Sequence, residues 1–350
     1  MDESRKSTRR EFIFNTARAT AGFAALGVAG CFPDVGGNWP HITGDCVDSD
    51  ETEPLPGASP VAEIVRDDSV QEVAGGFEIQ QDVVQEMLDQ ALGTIAGNAA
   101  KPWQTLLPDA SSTTRIGIKV NCLNEYLSSS VALVRALVES LRAGLGIAGE
   151  QIIVWDRRGD ELARGGFSES TLGTRVVGTV ASTADASGPG YGEAICGVVA
   201  GKTPRISRIL TELTDLTISV PVLKTHPVSG ITAAMKNIYG VVHNPGDYHQ
   251  NLAVALPALY RLPPIRRSIR LTICDALIAV TLGGTSDPPD AVPRRILVAR
   301  DPLALDCRAL ALVNSLRAER SAPPVDPAVT GWLDNAYDLG LGTMSYKLEP

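Results

Sequence analysis

From Glu78 onward, short apolar runs alternate with segments of helical period, and that alternation decides the fold class. Ile79, Val83, Val84, Met87, Leu88, Ala91, Leu92 and Ile95 recur at helical spacing. Residues 115–121 read as a strand, 131–145 as a helix with an Ala/Leu/Val face, and 151–155 as a second strand. Residues 216–223, 271–280 and 296–299 read as further strands, 303–320 as a strong helix and 328–339 as a shorter one. Strands separated by helices demand crossover connections, so the expected fold class is α/β, a mostly parallel sheet with helices on both faces. With 350 residues, 44% of them hydrophobic, the chain can bury a sizeable core of this kind. Ligands in such folds bind beyond the carboxyl ends of the strands, which is where reactive side chains are sought.

The first 31 residues read as a processing signal. Ser7-Thr8-Arg9-Arg10-Glu11-Phe12-Ile13 resembles the twin-arginine export consensus, and a weakly apolar Ala/Gly-rich stretch follows from Ala19 to Gly30. Val28-Ala29-Gly30-Cys31 resembles a lipobox, in which a small residue precedes the Cys that becomes lipidated. The competing explanation is a basic N-terminus with a chance arginine pair. The expected organisation is a twin-arginine signal peptide with lipobox over 1–31, a Gly/Pro/Asp-rich flexible tether over 32–75, and an α/β domain over 76–350. The implied partners are the twin-arginine translocase, engaging Arg9 and Arg10, and a membrane, held through Cys31. The implied location is the periplasm or cell exterior.

The formal charge is −9, and removing residues 1–30 takes away five basic and three acidic side chains, leaving −11. No Lys/Arg-rich run follows the N-terminus, which argues against nucleic acid as a partner. Cys46, Cys122, Cys196, Cys274 and Cys307 are widely spaced and odd in number, with no C-x-x-C. That excludes a disulfide framework and the clustered ligands of an iron–sulfur centre.

Three of the four histidines, His226, His243 and His249, fall within 24 residues. The apolar run Val220–Leu223 leads straight into Lys224-Thr225-His226, placing Lys224 and His226 at a strand's carboxyl end. A Ser/Gly/Thr turn follows, then a short helix carrying Lys236 and Asn237, whose free N–H groups are expected to face an anion. The same residues also suit a plain strand–turn–helix whose lysines reach for solvent. Lys119 and Asn121 close the first strand of the domain and are expected in the same crevice. Asp275, ending another strand, is expected in an acid/base role. His243 and His249 are candidate metal ligands. Walker, G-x-G-x-x-G, G-x-S-x-G and H-E-x-x-H motifs are absent.

The 118–121 strand, Val222-Leu223-Lys224-Thr225-His226, Met235-Lys236-Asn237-Ile238-Tyr239-Gly240, Tyr248-His249 and Asp301-Pro302-Leu303-Ala304-Leu305-Asp306 together resemble the family known as domain of unknown function 362, over roughly residues 110–320. Some of its members carry a ferredoxin-like module, whose cysteines this chain lacks, so no ferredoxin-type iron–sulfur cluster is expected. A more distant resemblance is to the nickel-pincer lactate racemase family, in which a Lys holds the pincer nucleotide covalently, ten residues after a catalytic His, and a downstream His ligates nickel. Lys236 lies ten residues after His226, with His243 and His249 following. The Gly-Gly-Arg-Lys run of those enzymes is replaced here by Thr232-Ala233-Ala234-Met235-Lys236.

The resulting expectation is an exported, lipid-anchored enzyme acting on a small anionic molecule. His226, Lys236 and Asp275 are its expected catalytic residues, and Lys119, Asn121, Lys224 and Asn237 its expected substrate contacts. A metal or nickel-pincer nucleotide is the cofactor that the resemblance implies. A non-catalytic binding lipoprotein with the same pocket is the alternative.

Overall fold

The computed structural model describes residues 57–193 and 197–349. Arg9, Arg10, Cys31 and the tether up to residue 56 lie outside the described residues. In chain order the principal elements are β1 (Ser59–Val65), β2 (Val70–Val73), β3 (Gly76–Ile79), α1 (Gln81–Ala96), β4 (Ile116–Lys119), α2 (Val131–Leu145), β5 (Ile152–Arg158), β6 (Arg175–Val180), β7 (Leu216–Ser219), β8 (Val222–His226), β9 (Gly230–Thr232), α3 (Leu252–Arg261), β10 (Ile269–Val280), β11 (Arg295–Ala299), α4 (Pro302–Ala318), α5 (Trp332–Asp338) and β12 (Tyr346–Glu349).

Ten strands form one sheet, ordered β12-β1-β11-β10-β7-β4-β5-β6, with β8 on the far half of β10 and β9 on β8. The run β10-β7-β4-β5-β6 is parallel throughout, and β11 is antiparallel to both its neighbours. This is the expected α/β class. Alternation along β5 shows how the sheet divides two cores: Ile152 and Val154 face one layer with α1 and α2, while Ile153 and Trp155 face the other with α3, α4 and α5. Helix α2 starts where Ser130 accepts the Leu133 N–H and stops at left-handed Gly146. Among the described residues, no helix is long and apolar enough to cross a membrane.

Two features differ from expectation. The 216–223 run is two strands, broken at Val220–Pro221. There Pro221 has no N–H for the ladder, and its carbonyl accepts the Asp275 N–H at 2.8 Å. β7 pairs with the first half of β10 and β8 with the second, carrying the chain past the end of β4. The expected tether also runs too far, because β1 lies inside the sheet between β11 and β12, and residues 70–79 form the β2–β3 hairpin. The charge in Ser59–Val65 obscured that strand. Its Glu63 side chain is 6% exposed and meets Arg308 at 2.5 and 2.8 Å, and also Arg295.

That carboxylate ties β1 to β11 and α4. Removing one partner of a buried ion pair strands the others, so Glu63→Ala is expected to lower stability by about 2–3 kcal/mol, read from urea unfolding midpoints at unchanged m-value.

Candidate functional site

Strands β4, β5 and β8 end around one open cleft. Its floor is a buried ion pair, Lys119 Nζ to Asp156 Oδ1 at 2.8 Å. Asp156 also accepts the Cys122 N–H at 2.7 Å and the Arg157 N–H at 2.6 Å. Lys119 further donates to the Val120 carbonyl at 2.6 Å. Gly240 sits against this pair: a Cβ there would lie 2.7 Å from Lys119 Nζ and 2.9 Å from Asp156 Oδ1, so only glycine permits the approach.

Amide groups join this floor to the lysine of β8. Asn121 Oδ1 accepts from Lys224 Nζ at 2.8 Å, and Asn121 Nδ2 donates to Asn237 Oδ1 at 3.2 Å. Asn237 Nδ2 donates in turn to the Lys119 carbonyl and to Ser219 Oγ. Asn237 and Lys236 ride on a 3₁₀ turn, Met235–Gly240.

The N–H groups that begin this turn are not open to a ligand, contrary to expectation. Asp306, from α4, accepts the Ala234 N–H at 2.7 Å and the Met235 N–H at 2.9 Å. Burial pushes its carboxyl up to about 8, against the pull of those two N–H bonds. Any anion in the cleft must therefore be met by side chains.

Those side chains carry excess positive charge. Lys224 is fully buried and Lys236 is 6% exposed, and among the described residues neither has a carboxylate within ion-pair distance. Burial lowers Lys224 to about 8; burial and then the Lys224 charge lower Lys236 to about 7. Lys236 Nζ stands 3.2 Å from the centre of the Tyr239 ring and 3.3 Å from His249 Nε2. Glu161, also lining the cleft, has its carboxyl raised by burial and then by Asp156.

Two imidazoles face this charge, stacked with ring centroids 5.7 Å apart. Their tautomers follow from their backbone partners. His226 Nδ1 accepts the Val228 and Ser229 N–H groups, so the proton of the neutral ring is on Nε2. His249 Nδ1 faces the Pro245 carbonyl at 2.9 Å and must donate, leaving a lone pair on Nε2 toward Lys236. Burial, then Lys236, depress His226 to about 3, and the same two causes lower His249, so both rings are neutral at pH 7. The His226 turn is pinned by Trp332 Nε1 on the Ser229 carbonyl and by Gly230, at φ 75°, packed against Thr330 and Val325.

Residues 116–311 match the family described as Domain of unknown function (DUF362). The chain belongs to the DUF362 family. Among solved structures it is similar to the lactate racemase apoprotein from Thermoanaerobacterium thermosaccharolyticum, with 14% identity and a TM-score of 0.39 over 56% of this chain and 48% of that one. It is also similar to a protein from Thermotoga maritima, with 13% identity and a TM-score of 0.37 over 69% of this chain and 59% of that one. The chain thus spans about half the length of the lactate racemase apoprotein. No curated protein matches it.

The cleft falls within the DUF362 region and gathers Lys119, Asn121, Lys224, His226, Lys236, Asn237 and His249. Two candidates lie elsewhere. His243 does not line the cleft, and its ring meets Tyr191 edge-on at 5.0 Å. Among the described residues, no three His, Cys, Asp or Glu side chains converge as a metal set, so His243 and His249 share no such site. Asp275 is fully buried outside the cleft, its oxygens accepting the Ser130 and Leu277 N–H groups at 2.7 and 3.1 Å. It fixes the start of α2 to β10 and does not line the cleft. Sequence reasoning left Asp156, Glu161 and Asp306 unassigned. The signal for Asp156 was its place at the end of the run Ile152-Ile153-Val154-Trp155.

A site whose lysines lose protons near about 7 and about 8 binds anions best below that range. Acetate affinity is expected to fall as pH rises from about 6 to about 9, by at most about tenfold per pH unit per proton, in NMR titrations. Stability of the unliganded protein moves the other way. Between about 7 and 10.5 the unfolded chain holds a proton that folded Lys236 has lost, so unfolding becomes harder as pH rises through that window.

Proposed function

We propose that this DUF362 protein is an enzyme that holds a small anionic substrate on Lys224 and Lys236 and transfers protons with His226 and His249. The observation that supports this is the pair of neutral imidazoles with opposite tautomers beside two uncompensated lysines. His249 Nε2, with its lone pair, is the proton acceptor. His226 Nε2–H is the donor, held by a turn that leaves its ring no freedom to change tautomer. Asn121 orients Lys224, and Lys119 with Asp156 supplies a charge-neutral floor. With a substrate found by screening hydroxy and oxo acids, His226→Gln is expected to lower kcat about 10²–10⁴-fold while leaving Kd within about threefold. Lys224→Met is expected to act mainly on Kd. Wild-type turnover in His226→Gln overturns the assignment, and a ligand bound but never converted favours the non-catalytic binding reading.

A resident metal or nickel-pincer-type group fits these residues in one way. The protein offers one imidazole lone pair, His249 Nε2, beside one amine, Lys236 Nζ, so a metal held here must bring most of its own donors. With such a group bound, Lys236 would be its covalent anchor and His249 its protein ligand in place of the roles given above, and Lys224 and His226 would remain to hold the substrate and pass a proton. Such a group supplies an electron sink for the substrate.

The same proposal carries export by the twin-arginine route and a lipid on Cys31, supported by the Arg9-Arg10 and Val28–Cys31 motifs. That route transports folded proteins, which suits a group inserted before export. Intact mass of protein from its native host tests both parts. The expected polypeptide begins at lipid-bearing Cys31 and carries further mass that Lys236→Ala removes. An unprocessed N-terminus overturns the export assignment, and an unmodified Lys236 overturns the anchored group.

A further inference from the structure

The charged floor accounts for only part of the lining of the cleft, which is open to solvent. The remaining wall is made by two loops. Leu123 lines the cleft from the loop after β4, and Thr285 lines it from the loop after β10. Asn124 Nδ2 donates to the Asp287 carbonyl at 2.8 Å, and Leu127 packs against Val280 and Val222, so the loops form one rim. Thr225 Oγ1 donates to the Gly283 carbonyl at 2.6 Å, fixing that rim to the strand that carries Lys224 and His226. The rim presents large apolar side chains to solvent: Leu123 is 54% exposed, Tyr126 57% and Leu282 46%. Of these three, Leu123 lines the cleft beside the cationic floor, and Tyr126 and Leu282 belong to the same hydrogen-bonded loops, an arrangement suited to a ligand that is charged at one end and apolar at the other.

We infer that the Leu123–Tyr126–Leu282 rim is an apolar subsite, and that the substrate is a soluble organic acid with an extended aliphatic or aromatic tail, its anionic group on Lys224 and Lys236. The inference rests on the anion-binding reading of the cleft and adds the substrate class. Leu123 is the hinge of the assignment because it belongs to both the cleft wall and the exposed rim.

Isothermal titration of the full chain with acetate, butanoate, hexanoate and octanoate, and with octanol, tests it. Affinity is expected to rise about two- to threefold per added methylene, somewhat below full burial of each group. Octanol is expected to bind more weakly than octanoate. Leu123→Ser and Leu282→Ser are expected to flatten the dependence on chain length while leaving acetate unchanged. Lys224→Met is expected to weaken every acid by a similar factor and keep the slope. Equal affinity across the series, or a slope unchanged by both rim variants, overturns the apolar subsite and leaves anion binding standing. Failure of every acid to bind overturns both.

Discussion

The ion pair between Lys119 and Asp156 is the contact on which the cleft is built. It is buried, so neither charge has water to fall back on, and each is satisfied by several fixed partners. Asp156 gathers the backbone after β4 as well as the lysine, and Gly240 brings the 235–240 turn against the pair. Because this lysine is neutralised, the other two in the cleft are left with the net charge. Their lowered proton affinities are the cost of burying cations without counter-ions, a cost that a bound anion relieves.

Much of this was legible in the sequence because strands of a parallel sheet announce their ends. Ile116–Lys119 turns charged at its last residue, and the apolar run before Lys224 gives way to Lys224-Thr225-His226 at the end of its strand, so Lys119, Lys224 and His226 could be assigned to one crevice before any contact was known. Helices α2 and α4 were legible from their period, and in the structure they start at capping side chains, Ser130 and Asp301. Lys236, Asn237 and His249 joined the same cleft through the turn that follows.

What escaped was set by distant contacts. Asp306 lies inside α4, and nothing in its neighbours along the chain marks its role. Its partners, Ala234 and Met235, lie 72 and 71 residues earlier, and they turn it into the cap of the site's own turn. Asp275 is at a strand position that looks catalytic, yet its carboxylate accepts the Ser130 N–H at the start of α2 and the Leu277 N–H, while its own backbone N–H donates to the Pro221 carbonyl at the strand break. His243 was grouped by closeness along the chain. Asn244, at φ 51°, reverses the backbone between it and His249, so the two rings part.

The direction of β1 sets where the chain enters the domain relative to the cleft. β1 is antiparallel to β11, which is antiparallel to β10, so β1 runs with β4 and β5. Its first residue, Ser59, is therefore at the end of the sheet away from the cleft. The point where the described chain enters the sheet and the mouth of the cleft thus lie at opposite ends of its strands.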